Sequence, residues 1–193
     1  MRIFINLLAV FIPLVAVAET PDFRIDYEAL FELHADRVVD SDRGDFQELE
    51  MPGEVIIDRR GGAGNYSYNS ADLSEGGAVG CLMLIVSELE AYRRECPAIA
   101  NEAQSARMEN ALERVVEFAA ENTYPPAPLA EYRAAFETGI VSKQSRIDFS
   151  NTENCAENDQ ISSFIGHIYG DSSEALFDDA LEVPRLPVLN PCL

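Results

Sequence analysis

Residues 78–96, AVGCLMLIVSELEAYRREC, decide how the rest of the chain is read. The first half is nearly all apolar, from Val79 through Cys81 to Val86, and Leu89 and Tyr92 continue one face. Glu90 and Arg94 stand at i,i+4 on what this pattern makes the outer face. The spacing predicts a helix over 78–95, buried deeply enough to serve as the centre of a fold. Cys81 and Cys96 are 15 positions apart. At about 1.5 Å rise per residue one helix holds them roughly 22 Å apart, far beyond the Cα separation of about 7 Å that a disulfide tolerates.

Four cysteines, Cys81, Cys96, Cys155 and Cys192, allow three pairings, and the helix removes one of them. Of the two that remain, Cys96–Cys155 with Cys81–Cys192 is the more economical. Cys96 precedes Pro97 at a helix end and Cys155 lies just ahead of the next helical pattern, while Cys192 would tie down a proline-rich terminus. No C-x-x-C occurs, and the spacing fits no zinc pattern.

Helical periodicity continues outward in both directions. Asn101 and Gln104 have the form of a capping box ahead of Met108, Leu112, Val115 and Ala119, and that helix must stop before Tyr124-Pro125-Pro126. Leu129, Tyr132, Phe136 and Ile140 mark a helix opening near Pro128. Ile161, Phe164, Ile165 and Ile168 mark another, with Gly170 to end it, and Asp171 with Glu174 open a short one holding Leu176, Phe177, Ala180 and Leu181. Upstream, Tyr27, Leu30, Phe31 and His34 share a face over 26–35. Pro52-Gly53, between Phe46–Met51 and Val55-Ile56-Ile57, predicts a hairpin over 46–59. The Gly, Ser and Asn composition of 61–77 predicts a mobile loop, and Pro184, Pro187 and Pro191 predict an extended tail over 183–193. The expected architecture is a mainly α, compact bundle of four to five helices with one small β-hairpin, stabilised by two disulfides.

Arg2, an apolar run from Ile3 to Val15 and Ala16-Val17-Ala18 form a signal-peptide pattern with cleavage after Ala18. The run is shorter than the roughly 20 residues needed to span a bilayer. A secreted or periplasmic protein is expected, with residues 19–193 as one domain and no membrane insertion of the mature chain. The chain carries 14 basic and 34 acidic side chains, a net charge of -20. Such a field repels phosphate backbones, which excludes nucleic acid and leaves a cationic protein or peptide as the partner to expect.

Candidate sites are few. Asp40, Asp42, Asp45 and Glu48 alternate through a turn as calcium ligands do, though Met51 stands where a bidentate Glu would close such a loop. Tyr66 and Tyr68 are aromatics in the expected loop and are the candidates for ligand contact. His34 and His167 are the two histidines, and neither sits in a recognisable nucleophile motif. No cofactor fingerprint is present, since Gly61-Gly62-Ala63-Gly64 lacks the Lys-Ser/Thr end of a phosphate loop. The sequence is read as an acidic interaction protein of inhibitor, immunity or adaptor type. A cell-envelope hydrolase using a histidine or a carboxylate pair, and a calcium-stabilised extracellular module, are the alternatives.

Overall fold

The computed structural model describes residues 25–149, 155 and 158–192, so the leader lies outside the described residues. The elements in chain order are α1 (Tyr27–Leu33), β1 (Val39–Asp40), β2 (Gln47–Met51), β3 (Val55–Gly62), β4 (Asn65–Asp72), α2 (Val79–Glu95), α3 (Glu102–Asn122), α4 (Leu129–Gln144), α5 (Asp159–Ile168) and α6 (Ser173–Leu181). Six helices and a four-stranded antiparallel sheet replace the expected bundle of four to five helices with one hairpin.

The correction comes from the sheet. Strands run β1-β2-β3-β4 in spatial order, a meander. The hairpin expected over 46–59 is its middle, with Met51 opposite Val55 and both Gly53 and Glu54 at positive φ in the turn. The segment read as a loop over 61–77 holds the end of β3 and all of β4, followed by an irregular stretch to Gly77. Gly62 pairs with Asn65 across Ala63-Gly64, a two-residue turn in which Gly64 takes φ 83. Along β4 the inward positions are Tyr66, Tyr68, Ser70 and Asp72, so alternation is present but its inner face turns polar. Ser70 meets the Tyr27 hydroxyl at 2.8 Å, and Asp72 is buried against Arg185.

Local signals place the helices. Asp26 caps α1 through Ala29 N–H, and the Asn101/Gln104 capping box forms at 2.9 Å in both directions. Asn158 caps α5 through Ile161 N–H. Inside α2, Glu90 is 2% exposed and not on an outer face, holding both Arg93 and Arg94 in a part-buried fork. Arg94 reaches on to Glu137 of α4, so this buried charge ties two helices together.

Three apolar clusters result. One joins α2, α3, α5 and α6 through Leu89, Met108, Val115, Ile165, Tyr169 and Phe177. A second joins α1 and the sheet through Leu30, Phe31, Leu49, Val55 and Ile57, and a third packs α3 on Tyr132 of α4. Residues 184–192 of the tail form no helix or strand, as expected, yet they are not a surface strap. Leu186 and Val188 belong to the sheet cluster, while Gly80 of α2 donates its N–H to Val188 O at 2.9 Å. A Cβ at Gly80 would lie 2.5 Å from the carbonyl oxygens of Pro187 and Val188, so only glycine admits this contact. Cys81–Cys192 fastens the end of the tail with Cα atoms 5.0 Å apart, and Cys96–Cys155 joins the α2 end to the segment before α5 at 6.0 Å. No helix among the described residues is long and apolar enough to cross a membrane.

Arg185 and Asp72 are 1% and 0% exposed and meet at 2.6 Å. Breaking such a pair from one side leaves a buried charge alone, so Arg185→Met should lower unfolding free energy by about 3–5 kcal/mol in urea titration. Adding Asp72→Leu to that variant should recover a substantial part. Tyr169 behaves oppositely: its buried hydroxyl has no hydrogen-bond partner among the described residues. Tyr169→Phe should therefore hold or raise stability by up to about 1 kcal/mol.

Candidate functional site

The residues singled out by sequence are distributed over several elements. Asp40 accepts from the Gln47 amide at 3.2 Å, and Glu48 is taken by Arg43 at 2.9 Å. Asp42 and Asp45 are exposed in the turn between β1 and β2. No group of three or more His, Cys, Asp or Glu among the described residues is placed to hold a metal ion. Of the four carboxylates, Glu48 is thus held by Arg43 and Asp40 by Gln47.

Tyr66 and Tyr68 lie on β4 and not in a loop. Tyr68 stacks on Tyr27 with centroids 5.7 Å apart, and the Arg59 guanidinium is sandwiched between Phe31 at 4.3 Å and Tyr66 at 4.5 Å. Gln47 Oε1 accepts from Arg59 at 2.6 Å. Burial pushes the Tyr68 phenol up, as does the charge of Glu28, while Arg59 opposes both. These rings fasten α1 to the sheet. His34 closes α1 with its backbone N–H on Leu30 O, and His167 is exposed in the last turn of α5.

The feature that sequence reasoning missed is a cleft of about 780 Å³ between the segment after β4, the C-terminal end of α6 and the start of the tail. Its walls carry Glu54, Glu75, Asp179 and Glu182, all exposed, beside Leu73 at 60% and Val183 at 46% exposure. No ion pair among the described residues engages these four carboxylates. Arg185 also lines the cleft but is spent on Asp72, Gly77 O and Val183 O. The chain draws close here: a Cβ on Gly76 would come within 2.7 Å of Asp179 O, so glycine lets the segment lie on α6.

Two of the carboxylates sit against the preference of their own helix. Asp179 is in the last turn of α6 and Glu182 is its C-cap, with no basic residue in that turn. A helix C-terminus carries partial negative charge, so carboxylates there are repelled. Glu54 takes φ 64, where a residue with a Cβ is strained. The result is a concave site of negative potential with apolar edges.

Basic side chains elsewhere are largely committed to carboxylates. Arg43, Arg93, Arg94, Arg107, Arg114 and Arg133 each bridge to one, as does Lys143. The net charge of -20 is thus carried by acidic groups left over from pairing. No family model matches the chain, and neither a curated protein nor a solved structure matches it.

Ion pairing sets the acid response. Hydrogen bonding from Arg43, then Ser41, holds Glu48 below the ordinary glutamate value of 4.5, and the bond from Arg94 does the same for Glu137. Both folded values are depressed, so the stabilisation is present above 4.5 and lost as pH falls through the folded values. Glu137 is half-exposed and screened. Denaturation midpoints should hold down to roughly pH 5 and decline below it, less steeply in Glu137→Gln and in high salt.

Proposed function

We propose that this is a secreted or periplasmic, single-domain interaction protein that captures a cationic protein or peptide, with the acidic cleft beside α6 as its principal contact. The observation that carries this reading is the placement of Glu54, Asp179 and Glu182. Each faces the cleft from a position where its charge or its backbone opposes local stability. A bound Lys or Arg side chain offsets that repulsion, and exposed Leu73 and Val183 supply apolar contact for its aliphatic stem. Surplus negative charge over the rest of the surface steers such a partner toward the protein. Two disulfides accord with an oxidising compartment.

The test uses a synthetic peptide alternating arginine and leucine, titrated at 50 and 300 mM salt. Affinity should fall at least tenfold at the higher salt and again in the Asp179→Asn, Glu182→Gln double variant. Removing two exposed charges from α3, with Glu117→Gln and Glu121→Gln, should leave it nearly unchanged. Equal losses in both double variants would reduce the cleft to general surface charge. The cleft variants should also gain stability: about 0.3–1 kcal/mol for each charge removed from the α6 end, and roughly 1 kcal/mol for Glu54→Gly.

A further inference from the structure

The sheet has two edges, and they are built differently. The β1 edge is two residues long and ends in Asp40. The β4 edge runs for eight residues in unbroken register with β3, and from Asn65 to Ala71 it carries no charge and no proline. Edge strands are ordinarily blunted by shortness, charge, proline or a bulge, because a free row of N–H and C=O groups is a template for another strand. On a chain at -20, β4 has none of these protections along that stretch.

Hydrogen bonding fixes which groups are free. Leu73 N–H donates back across the hairpin to Glu54 O at 3.0 Å, whereas Asp72 N–H donates outward to Asn190 O at 2.7 Å. Antiparallel ladders alternate inward and outward residues, so Ser70, Tyr68 and Tyr66 present their N–H and C=O groups outward as Asp72 does. The tail covers only the far end of this row, where Asn190 takes Asp72 N–H and its side-chain amide reaches Asn69 Oδ1 at 3.2 Å. Among the described residues nothing bonds the main chain of Tyr66 or Tyr68 from that side. Tyr68 stacks on Tyr27 over the inner face, so the exposed side chains along the edge are those of Asn65, Ser67 and Asn69.

We propose that β4 pairs antiparallel with β4 of a second copy of this chain, joining two four-stranded sheets across a two-fold axis at Ser67. In that register Tyr66 lies opposite Tyr68 of the second copy, and Tyr68 opposite Tyr66 of the second copy, each pair exchanging both main-chain hydrogen bonds. Ser67 meets Ser67 and Asn65 meets Asn69, so hydroxyl faces hydroxyl and amide faces amide. The tail sets the register. With the axis at Ser67 the strand of the second copy turns away at Gly64, opposite Ser70 and short of Asn190. An axis at Tyr68 would set that Gly64 opposite Asp72, where Asn190 already sits.

Charge selects a second copy over the cationic partner of the acidic cleft. An uncharged edge offers a cation nothing, whereas two such edges meet without setting like charges opposite each other. Repulsion between the remainder of two chains at -20 persists, so the dimer is reversible and tightens as salt screens it. Binding at the cleft responds to salt with the opposite sign.

Sedimentation velocity from 10 µM to 1 mM protein tests the pairing. Wild type should pass from monomer to dimer, with an association constant at least fivefold higher in 500 than in 50 mM salt. Amide exchange at Tyr66 and Tyr68 should slow as the dimer forms. Ser67→Glu and Ser67→Lys should each stay monomeric, because residue 67 then faces its own charge across the axis, and each should keep the melting temperature of dilute wild type. Mixing the two variants should restore association as a heterodimer, an outcome that damage to the fold would not produce. A chain monomeric at 1 mM, association that weakens with salt, or a dimer that survives both variants would overturn the proposal. Variants that fail to pair on mixing would overturn the axis at Ser67. The arginine-leucine peptide should bind Ser67→Glu as it binds wild type, which keeps this edge separable from the acidic cleft.

Discussion

The rest of the structure depends on the buried pairing of Arg185 with Asp72. Asp72 ends β4, Arg185 belongs to the tail, and the same guanidinium donates to Gly77 O just before α2. Sheet, tail and central helix therefore meet at one charged group. The tail contains Pro184, Pro187 and Pro191, which lack the N–H groups a strand pairing requires. Side-chain chemistry takes over from a ladder. Backbone bonds from Asp72 N to Asn190 O and from Gly80 N to Val188 O add to it, and the second is possible only because α2 has glycine there. Desolvating an arginine and an aspartate is costly, and here the cost is offset by several hydrogen bonds that use the guanidinium on more than one side. Ser74 also donates to Asp72 from N and Oγ, so the carboxylate is bonded on both oxygens.

Local and global preferences agree over most of the chain, which makes their disagreement around the acidic cleft informative. Helices α1, α3 and α5 have side-chain N-caps, from Asp26, Asn101 and Asn158. Helix α6 has no side-chain cap and ends in carboxylates. Asp178 of that turn is relieved by Arg114 at 2.7 Å, whereas Asp179 and Glu182 face the cleft. A chain with so many arginines committed to ion pairs had the means to neutralise them as well. Their retention as bare charges is physically consistent with an external cation completing the site.

Legibility in the sequence followed polarity. Helix α2, the Asn101/Gln104 box and the pairing of cysteines were readable because apolar period, capping chemistry and helix length are local properties. The sheet was only half readable. Leu49, Val55 and Ile57 announce β2 and β3, but β4 places Ser70 and Asp72 inward, and only distant Tyr27 and Arg185 explain how they are tolerated. Glu90 escaped for the same reason, since its burial depends on Arg93 and Arg94 folding back over it. The turn residues Ala63-Gly64 were visible yet surrounded by enough glycine to resemble a linker. The cleft was not legible at all: Glu54, Glu75, Asp179 and Glu182 come from three separate segments, and in a chain with 34 acidic residues no spacing singles them out.

The tail gives one wall to each of the two concave surfaces, and the order of residues along it keeps them apart. Val183 faces the acidic cleft, Arg185 is clamped, Pro187 to Leu189 line an apolar trough with Met83 of α2 and Phe136 of α4, and Cys192 is stapled to α2. Coupling between two sites requires an element with two arrangements that both ligands bias. A buried ion pair holds the tail at the boundary and a disulfide holds its end, and both oppose a second arrangement. Loss of the staple would loosen the trough wall, which lies between clamp and cysteine, while the clamp still holds the cleft. Loss of the clamp would release both. The position of Arg185, between the walls and not at either end, is thus what lets a short irregular tail serve two surfaces independently.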